Sequence, residues 1–348
     1  MPRFLHPSSV WLSFIGRALF RAALVGLVVG VIPATAQADD SATLALAGRL
    51  VANLDQSVEY YEALGFTKDP AESKDWGRDS TIEALFGVKG IETRVAKMQA
   101  TTTASGKFFP VYLQEVRGIE RRNLASRSVW KPTSTHIGFY IENIQQSWEK
   151  LRKAGILRPH SWADELQPAG RPKGQLAYIA DPDGLDIEVI DKGASAKAGV
   201  NHFGIVVADI DKAKAFYVGL LGGKPPAEEP KWLQGDFFDS VVGGHGGIVR
   251  LYFLKFPEAA APDSTLNFEL VDFQNRKQPI DKFSITDIGV NYYGFQVPDI
   301  ERFLKGALAL GATQVSKNIV TLRDGTREVM LRDPDTGAFV LFRGLPRR

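Results

Sequence analysis

One structural plan occurs four times along the chain, and this repeat constrains the fold more than any other feature. Each copy, called a segment below, has a short apolar strand, then Asn or Asp followed by Leu or Ile, and then an amphipathic helix. The four strands start at Leu44, His136, His202 and Tyr292. The four polar positions are Asn53, Asn143, Asp209 and Asp299. Because such side chains accept hydrogen bonds from the free amide groups at a helix start, we predict that each one caps a helix.

The spacing of the capping positions predicts a tandem duplication. Consecutive positions are 90, 66 and 90 residues apart, so the first and third, like the second and fourth, are separated by 156 residues. Several strand-like runs follow each helix, which predicts a βαβββ order in every segment and an α+β fold. The predicted pairs are 39–190, with segments 39–118 and 134–190, and 200–348, with segments 200–275 and 289–348.

Residues 1–38 have the features of a signal peptide. Three arginines precede or enter an apolar run that is short for a membrane span, and Ala36-Gln37-Ala38 offers small residues at the cleavage positions. We expect export to the periplasm or the medium, with Asp39 as the first mature residue and no membrane contact after cleavage. A retained N-terminal anchor is the alternative.

Composition excludes several function classes for the mature chain. Removing the three arginines of residues 1–38 from 42 basic residues leaves 39, against 40 acidic residues, so the net charge is −1. This balance does not predict a nucleic-acid partner. The chain has no cysteine, which excludes disulfides, thiolate nucleophiles and thiolate metal ligands.

The four strand-cap-helix starts, together with the turn and strand Asp181–Val189, resemble the vicinal oxygen chelate superfamily, which includes glyoxalases, bleomycin resistance proteins and extradiol dioxygenases. The resemblance spans Leu44 to Phe342. It implies four βαβββ modules paired into two barrels whose curved sheets enclose a cup, usually with a divalent metal. In that family the metal ligands come from the head of each first strand and from a glutamate on the fourth strand.

The resemblance implies specific metal ligands in this chain. The first-strand position lies seven residues before each cap, at Leu46, His136, His202 and Tyr292. Two of the four histidines beyond residue 38 fall there, and neutral imidazole is a common ligand of Zn, Fe, Mn or Ni. Glu188 occupies the fourth-strand position of the second segment, where a buried carboxylate needs a cation or a partner. In the first segment the choice between Gln114 and Glu115 stays open.

Two ways of pairing the segments are consistent with the sequence. Pairing in chain order puts His136 and Glu188 in one barrel and His202 in the other. Pairing the second segment with the third unites His136, Glu188 and His202 in one site, and leaves a metal-free barrel lined by Leu46 and Tyr292. We favour the second arrangement because it makes one chemically sensible site from three separate residues.

Two histidines and a glutamate predict a metal-dependent enzyme acting on a small oxygenated organic molecule, either a dioxygenase or a lyase or isomerase. The chain departs from the ring-cleaving dioxygenase signature, because Ala169-Gly170-Arg171 stands where that signature has a catalytic histidine. The alternative is a metal-free binding or sequestering protein of the resistance type. Further candidates are His245 and Tyr252 as catalytic residues, and Arg250 and Tyr292 as substrate-binding residues.

Overall fold

A computed structural model describes residues 41–124, 131, 135–155, 157, 167–168, 175–191, 198–236, 238–239, 246–275, 280 and 282–345. These residues form a mixed α+β fold with one large sheet and few helices. Among them, no helix has both the length and the apolar character that crossing a membrane requires. The predicted signal peptide and His245 lie outside the described residues.

The described residues of the first two segments form eight strands and three helices. In the first segment these are β1 (Thr43–Val51), α1 (Leu54–Ala63), β2 (Thr67–Gly77), α2 (Ser80–Phe86), β3 (Glu92–Thr101) and β4 (Phe108–Arg117). In the second segment they are β5 (Thr135–Tyr140), α3 (Ile144–Lys153), β6 (Gln167–Pro168), β7 (Gln175–Ala180) and β8 (Asp186–Asp191). Both segments follow the predicted βαβββ order, with α2 as an addition in the first.

The last two segments vary this order. In the third segment we find β9 (Gly199–Val207), α4 (Ile210–Lys214) continued by a π-helical turn (Ala215–Leu220), β10 (Val249–Glu258) and β11 (Ala261–Phe273). In the fourth segment we find β12 (Asn291–Val297), α5 (Ile300–Ala309), β13 (Thr313–Gln314), β14 (Val320–Thr321), β15 (Arg327–Arg332) and β16 (Phe339–Gly344). In the described residues of the third segment, isolated bridges at Lys224 and Leu233 lie between the π-helical turn and β10.

The predicted helix caps are confirmed in all four segments. The side chains of Asn53, Asn143, Asp209 and Asp299 accept hydrogen bonds from backbone amides of the following first turn, at 2.9 to 3.2 Å. Each capping residue has an extended backbone, as a residue at the boundary between a strand and a helix should. The same local chemistry therefore directs the chain from strand to helix four times.

Two antiparallel contacts between first strands organise the sheet. Strand β5 pairs with β9, and β1 pairs with β12. The inner half of the sheet comprises β5 to β11, and the outer half comprises β1 to β4 with β12 to β16. A single parallel residue pair, Leu44 with Glu258, joins β1 to β10 and so connects the two halves. The first strands of the second and third segments consequently lie side by side.

The main hydrophobic core lies on one face of this sheet, beneath the helices. It includes Tyr61 of α1 and Tyr217 of the π-helical turn, together with Phe203 and Phe295 of the first strands. Successive side chains of a strand point to opposite faces, so the residues flanking Phe203 point away from this core. On that opposite face, the inner half carries the candidate site described next.

Candidate metal site

Four side chains from four strands of the inner half meet at one point. His136 of β5 and His202 of β9 face each other with their Nε2 atoms 3.0 Å apart. Glu188 of β8 lies 2.9 Å from the Nε2 atom of His202, and Glu269 of β11 lies 2.9 Å from that of His136. The cross distances are 3.9 Å from Glu188 to His136 and 3.6 Å from Glu269 to His202. The structure thus brings together the three predicted ligands and adds a fourth side chain, the carboxylate of Glu269.

The strand register produces this convergence. Each histidine lies two residues before a glycine, and that glycine pairs with a glutamate on the parallel neighbouring strand: Gly138 with Glu188, and Gly204 with Glu269. The glycines also make room for the imidazole rings. A Cβ atom on Gly138 would lie 2.0 Å from Cε1 of His202, and a Cβ atom on Gly204 would lie 2.0 Å from Cε1 of His136. Only glycine allows the two rings to cross between the paired strands.

The geometry fits a divalent cation. Nitrogen and oxygen ligands lie about 2.0–2.2 Å from such an ion, so ligands at adjacent positions are about 3.0–3.5 Å apart. Three of the five distances above, 2.9, 2.9 and 3.0 Å, are close to the lower end of this spacing, and the two cross distances, 3.6 and 3.9 Å, are somewhat longer. His136, Glu188 and His202 form the group of potential ligands whose donor atoms all lie within 4.8 Å of one another. Two carboxylates would also neutralise a 2+ charge in a buried position, where an unbalanced charge is costly.

The negative charges of Glu188 and Glu269 raise the pKa of two neighbouring side chains, His136 and Tyr178. Burial by itself would lower the pKa of His136, but the hydrogen bond with Glu269 and the negative charges of Glu269 and Glu188 raise it above the usual value. Tyr178 of β7 pairs across the strands with Glu188, and its ring lies edge-on to His136 with centroids 5.7 Å apart. Burial, followed by the charges of Glu188 and Glu269, raises the pKa of Tyr178 well above its usual value. The Tyr178 hydroxyl therefore stays protonated and can donate a hydrogen bond.

Sequence reasoning missed Glu269. The candidates Arg250 and Tyr252 lie on β10, whereas the strand that pairs in parallel with β9, as β8 pairs with β5, is the following strand β11. A signal was present in the sequence. Two six-residue runs have apolar residues in the same order around a glutamate, and both end in Asp. They are Asp186-Ile-Glu-Val-Ile-Asp191 and Asn267-Phe-Glu-Leu-Val-Asp272. Matching these two runs would have identified Glu269 without a structure.

The outer half repeats the geometry without the ligands. Its four equivalent positions, taken from the same strand register, are Leu46, Tyr112, Tyr292 and Leu341. Glycines again make room, since a Cβ atom on Gly48 would lie 2.0 Å from Cζ of Tyr292. Three of these side chains are buried in an apolar cluster with Met330 and Phe339, and Tyr112 packs against that cluster. None of the four offers a usual metal ligand, and this part of the outer half is a hydrophobic core.

The other predicted site residues lie apart from the histidines. Tyr252 of β10 is 1% exposed in the main core and accepts a hydrogen bond from Lys214, while its neighbour Phe253 is edge-on to His202. Arg250 shares the face of Tyr252 by strand alternation, and it binds Asp272 and stacks over Trp232. Neither side chain is directed toward the site.

The remaining candidates are placed as follows. Tyr292, predicted to bind substrate, is 4% exposed within the outer apolar cluster. Gln114 is buried on β4, two residues after Tyr112, the position equivalent to Glu269. Glu115 forms an ion pair with Arg94. His245 lies outside the described residues. The catalytic roles of His245 and Tyr252 and the substrate contacts of Arg250 and Tyr292 stay predictions.

Comparisons with known proteins agree with this architecture. A family model described as the glyoxalase/bleomycin resistance protein/dioxygenase superfamily matches residues 201–329. Glyoxalase I from Zea mays has a similar structure, with 18% identity, coverage of 88% of this chain and 93% of that chain, and a TM-score of 0.56. A mutant of the same maize enzyme gives 15% identity, 88% and 94% coverage, and a TM-score of 0.58. No curated protein sequence matches the chain. The resemblance of this chain to the glyoxalase, bleomycin resistance and dioxygenase superfamily is thereby confirmed, with the solved structures as evidence for its fold.

Proposed function

We propose that this protein is a metal-dependent enzyme of the glyoxalase-like type that moves a proton within a small molecule bearing two adjacent oxygen atoms. The observation that carries the proposal is the convergence of two imidazole nitrogens and two carboxylates, with neighbouring donor atoms 2.9 to 3.9 Å apart. His136, Glu188, His202 and Glu269 would hold one divalent cation. Its identity among Fe, Mn, Zn and Ni is open.

The number of ligands favours an isomerase or lyase over a dioxygenase. Non-haem iron oxygenases use two histidines and one carboxylate, which leaves three of six octahedral positions open. A substrate that binds through two oxygens then leaves one position for O₂. With Glu269 as a fourth ligand, only two positions stay open, and a substrate bound through two oxygens fills both. The ligand set therefore suits chemistry that needs no O₂ on the metal.

The residues around the cation would divide the proton-transfer steps. A bound divalent cation would act as a Lewis acid that stabilises negative charge on substrate oxygens. The side chain of Glu188 is 14% exposed against 4% for Glu269, so a substrate entering the cup reaches Glu188 more readily. A carboxylate has two oxygens, so we assign Glu188 to hold the cation with one oxygen, and with the other to accept the proton from one substrate carbon and return it to the adjacent carbon. Tyr178, whose hydroxyl is kept protonated, would donate a hydrogen bond to a substrate oxygen.

The proposed function includes the pairing of the four βαβββ segments into two barrels of the vicinal oxygen chelate type. The β5–β9 and β1–β12 contacts support pairing of the second segment with the third and of the first with the fourth. In this arrangement one barrel is catalytic. The other barrel is a scaffold with an apolar interior.

A metal-free binding protein is the second candidate, and one observation favours it. Two apolar clusters lie on the same face of the sheet as the site, by strand alternation from His202, Glu269 and Glu188. Their members are Val206, Val249, Val271 and Phe273 on the third segment, and Leu176 and Ile190 on the second. Such walls would hold an apolar ligand without catalysis. This candidate leaves unexplained why two carboxylates and two imidazoles are buried together.

Metal titration of the purified chain after chelation tests the proposal. We expect one equivalent of Zn²⁺, Mn²⁺, Ni²⁺ or Co²⁺ to bind. Glu269→Leu should lower the affinity by more than about 10-fold, because loss of an outer contact alone costs about 10–100-fold. Tyr112→Phe is the matched control, since Tyr112 holds the position equivalent to Glu269 in the outer half. Its affinity should equal that of the unmodified chain.

Activity separates the reaction classes. The metal-loaded chain should isomerise a 2-oxoaldehyde or its thiol adduct, and should take up no O₂ with catechols. Oxygen uptake with a catechol would overturn the isomerase or lyase assignment while leaving the metal site intact. Failure of the unmodified chain to bind any of the four cations would favour the binding-protein candidate.

We also propose that the protein is exported and cleaved after Ala38. The basic start, the apolar run and the small residues at Ala36 and Ala38 support this proposal. N-terminal sequencing of the protein recovered from its producing cells should begin at Asp39. Soluble protein that retains Met1 would contradict export by cleavage.

A further inference from the structure

Strand β9 contains an irregularity next to its metal-site histidine. Gly138 pairs with His202, but the next residue of β5, Phe139, pairs with Val200, so Asn201 has no partner in the ladder. This is a β-bulge, in which one strand has an extra residue. Bulges redirect side chains, and here the side chains of Asn201 and His202 come close enough to interact.

The amide of Asn201 connects His202 to another segment. Its oxygen lies 3.0 Å from Nδ1 of His202, and its nitrogen donates to Oγ1 of Thr103 at 3.2 Å. The backbone amide of Thr103 donates in turn to the carbonyl oxygen of Val200 at 2.9 Å. The Thr103 hydroxyl thus fixes the orientation of the Asn201 amide, with the oxygen toward the imidazole.

A close backbone contact holds this part of the first segment against β9. Gly199 has a φ of +142°, and a Cβ atom there would lie 2.0 Å from the carbonyl oxygen of Thr101. Other residues rarely adopt this φ, and any side chain would push the two strands apart. The chain between Thr101 and Thr103 is therefore a fixed support for Asn201.

The outer half provides an internal comparison. The pairing of β1 with β12 has the same irregularity between Leu44 and Leu46, so Ala45 is the extra residue there. Ala45 is 156 residues before Asn201, and Leu46 is 156 residues before His202. The bulge therefore occurs in both halves, but the hydrogen-bonding side chain occurs only where the next residue is the histidine. This association indicates a role in the site rather than in forming the bulge.

We propose that Asn201 is a positioning residue that sets the tautomer and ring orientation of His202. Its oxygen accepts the hydrogen of Nδ1, which leaves the lone pair on Nε2, the atom 3.0 Å from His136 and 2.9 Å from Glu188. A histidine ligand needs this arrangement, because the metal-binding nitrogen must carry no proton. The inference rests on the proposed function, since it assigns the residue that prepares one ligand of the same site.

Zn²⁺ affinity, measured by competition with a chelating dye, tests this role. Asn201→Ala should lower the affinity about 10–100-fold, the range for loss of a hydrogen bond to a metal-bound histidine. Asn201→Asp retains the acceptor and should bind at least as tightly as the unmodified chain. Thr103→Val should cause a smaller loss. Ala45→Ser, at the equivalent bulge of the outer half, should have no effect.

A spectroscopic readout separates positioning from general stability. In the Zn²⁺-loaded chain with ¹⁵N-labelled histidine, the His202 signals should show a protonated Nδ1 and a metal-bound Nε2. In Asn201→Ala the Nδ1 hydrogen should exchange faster with solvent, while the thermal unfolding of the metal-free chain should change little.

The outcomes distinguish failure of the proposed function from failure of the positioning role of Asn201. Absence of Zn²⁺ binding by the unmodified chain would refute the proposed function and this inference with it. Zn²⁺ binding by Asn201→Ala with the affinity of the unmodified chain would refute the positioning role alone. A metal-free chain of Asn201→Ala that unfolds at a much lower temperature would assign Asn201 to the stability of the bulge instead.

Discussion

We expect Gly138→Ala to abolish metal binding because its new methyl group displaces the ring of His202. The added Cβ atom would lie 2.0 Å from Cε1 of His202, whereas ordinary contacts start near 3.4 Å. The ring must therefore move by about 1.4 Å, and functional side chains tolerate displacements of only about 0.5 Å. Because Nε2 moves with the ring, His202 leaves the ligand set. We expect the metal affinity to fall by more than about 100-fold, beyond the loss that an outer contact causes.

The matched variant is Gly48→Ala in the outer half. Its Cβ atom would meet Cζ of Tyr292 at the same 2.0 Å, so both variants introduce an equal clash in equivalent strands. Overpacking costs about 1–3 kcal/mol, and both should unfold at lower temperature. Calorimetric titration with Zn²⁺ should show one site in Gly48→Ala and none in Gly138→Ala. Tight binding of one equivalent by Gly138→Ala would refute the reasoning, as would equal loss of binding in both variants.

Two further predictions concern the buried aspartates Asp183 and Asp335 and the candidate residue Tyr252. Burial raises the pKa of Asp183 to about 6 and that of Asp335 to about 7, so the folded chain keeps these protons at pH values where the unfolded chain, with a pKa near 3.8, has lost them. The free energy of unfolding should therefore decrease as the pH rises from about 4 to about 7. Urea unfolding with chelator present should show a smaller decrease for Asp335→Asn. An unchanged pH dependence in that variant would contradict the raised pKa of Asp335. Tyr252→Phe should cost about 1 kcal/mol of stability, because the hydrogen bond from Lys214 is lost. Its Zn²⁺ affinity should equal that of the unmodified chain. A titration that shows weaker binding would indicate that Tyr252 contributes to the site.

Local chemistry accounts for what could be predicted from the sequence. A capping Asn or Asp acts within its own helix turn, so the four helix starts could be read directly from residues such as Asn53 and Asp299. The distance of seven residues to each capping position placed His136 and His202 at equivalent positions, because the four segments share one order of strand, cap and helix. Glu188 followed from its distance to a recognisable turn at Asp181.

Contacts between distant segments decided the rest. Which first strands pair depends on the packing of whole segments, and only the β5–β9 contact brings His136 next to His202. The sequence of the third segment does not repeat the Asp-Pro-Asp-Gly run at Asp181, so no distance from such a run pointed to Glu269, and the register of β9 with β11 placed it beside Gly204. The face of Tyr252 and the partner of Asn201 likewise depend on neighbouring strands. A sequence determines its local hydrogen bonds and its repeats, but the convergence of His136, Glu188, His202 and Glu269 needs the relative positions of four strands, and these are set by tertiary packing.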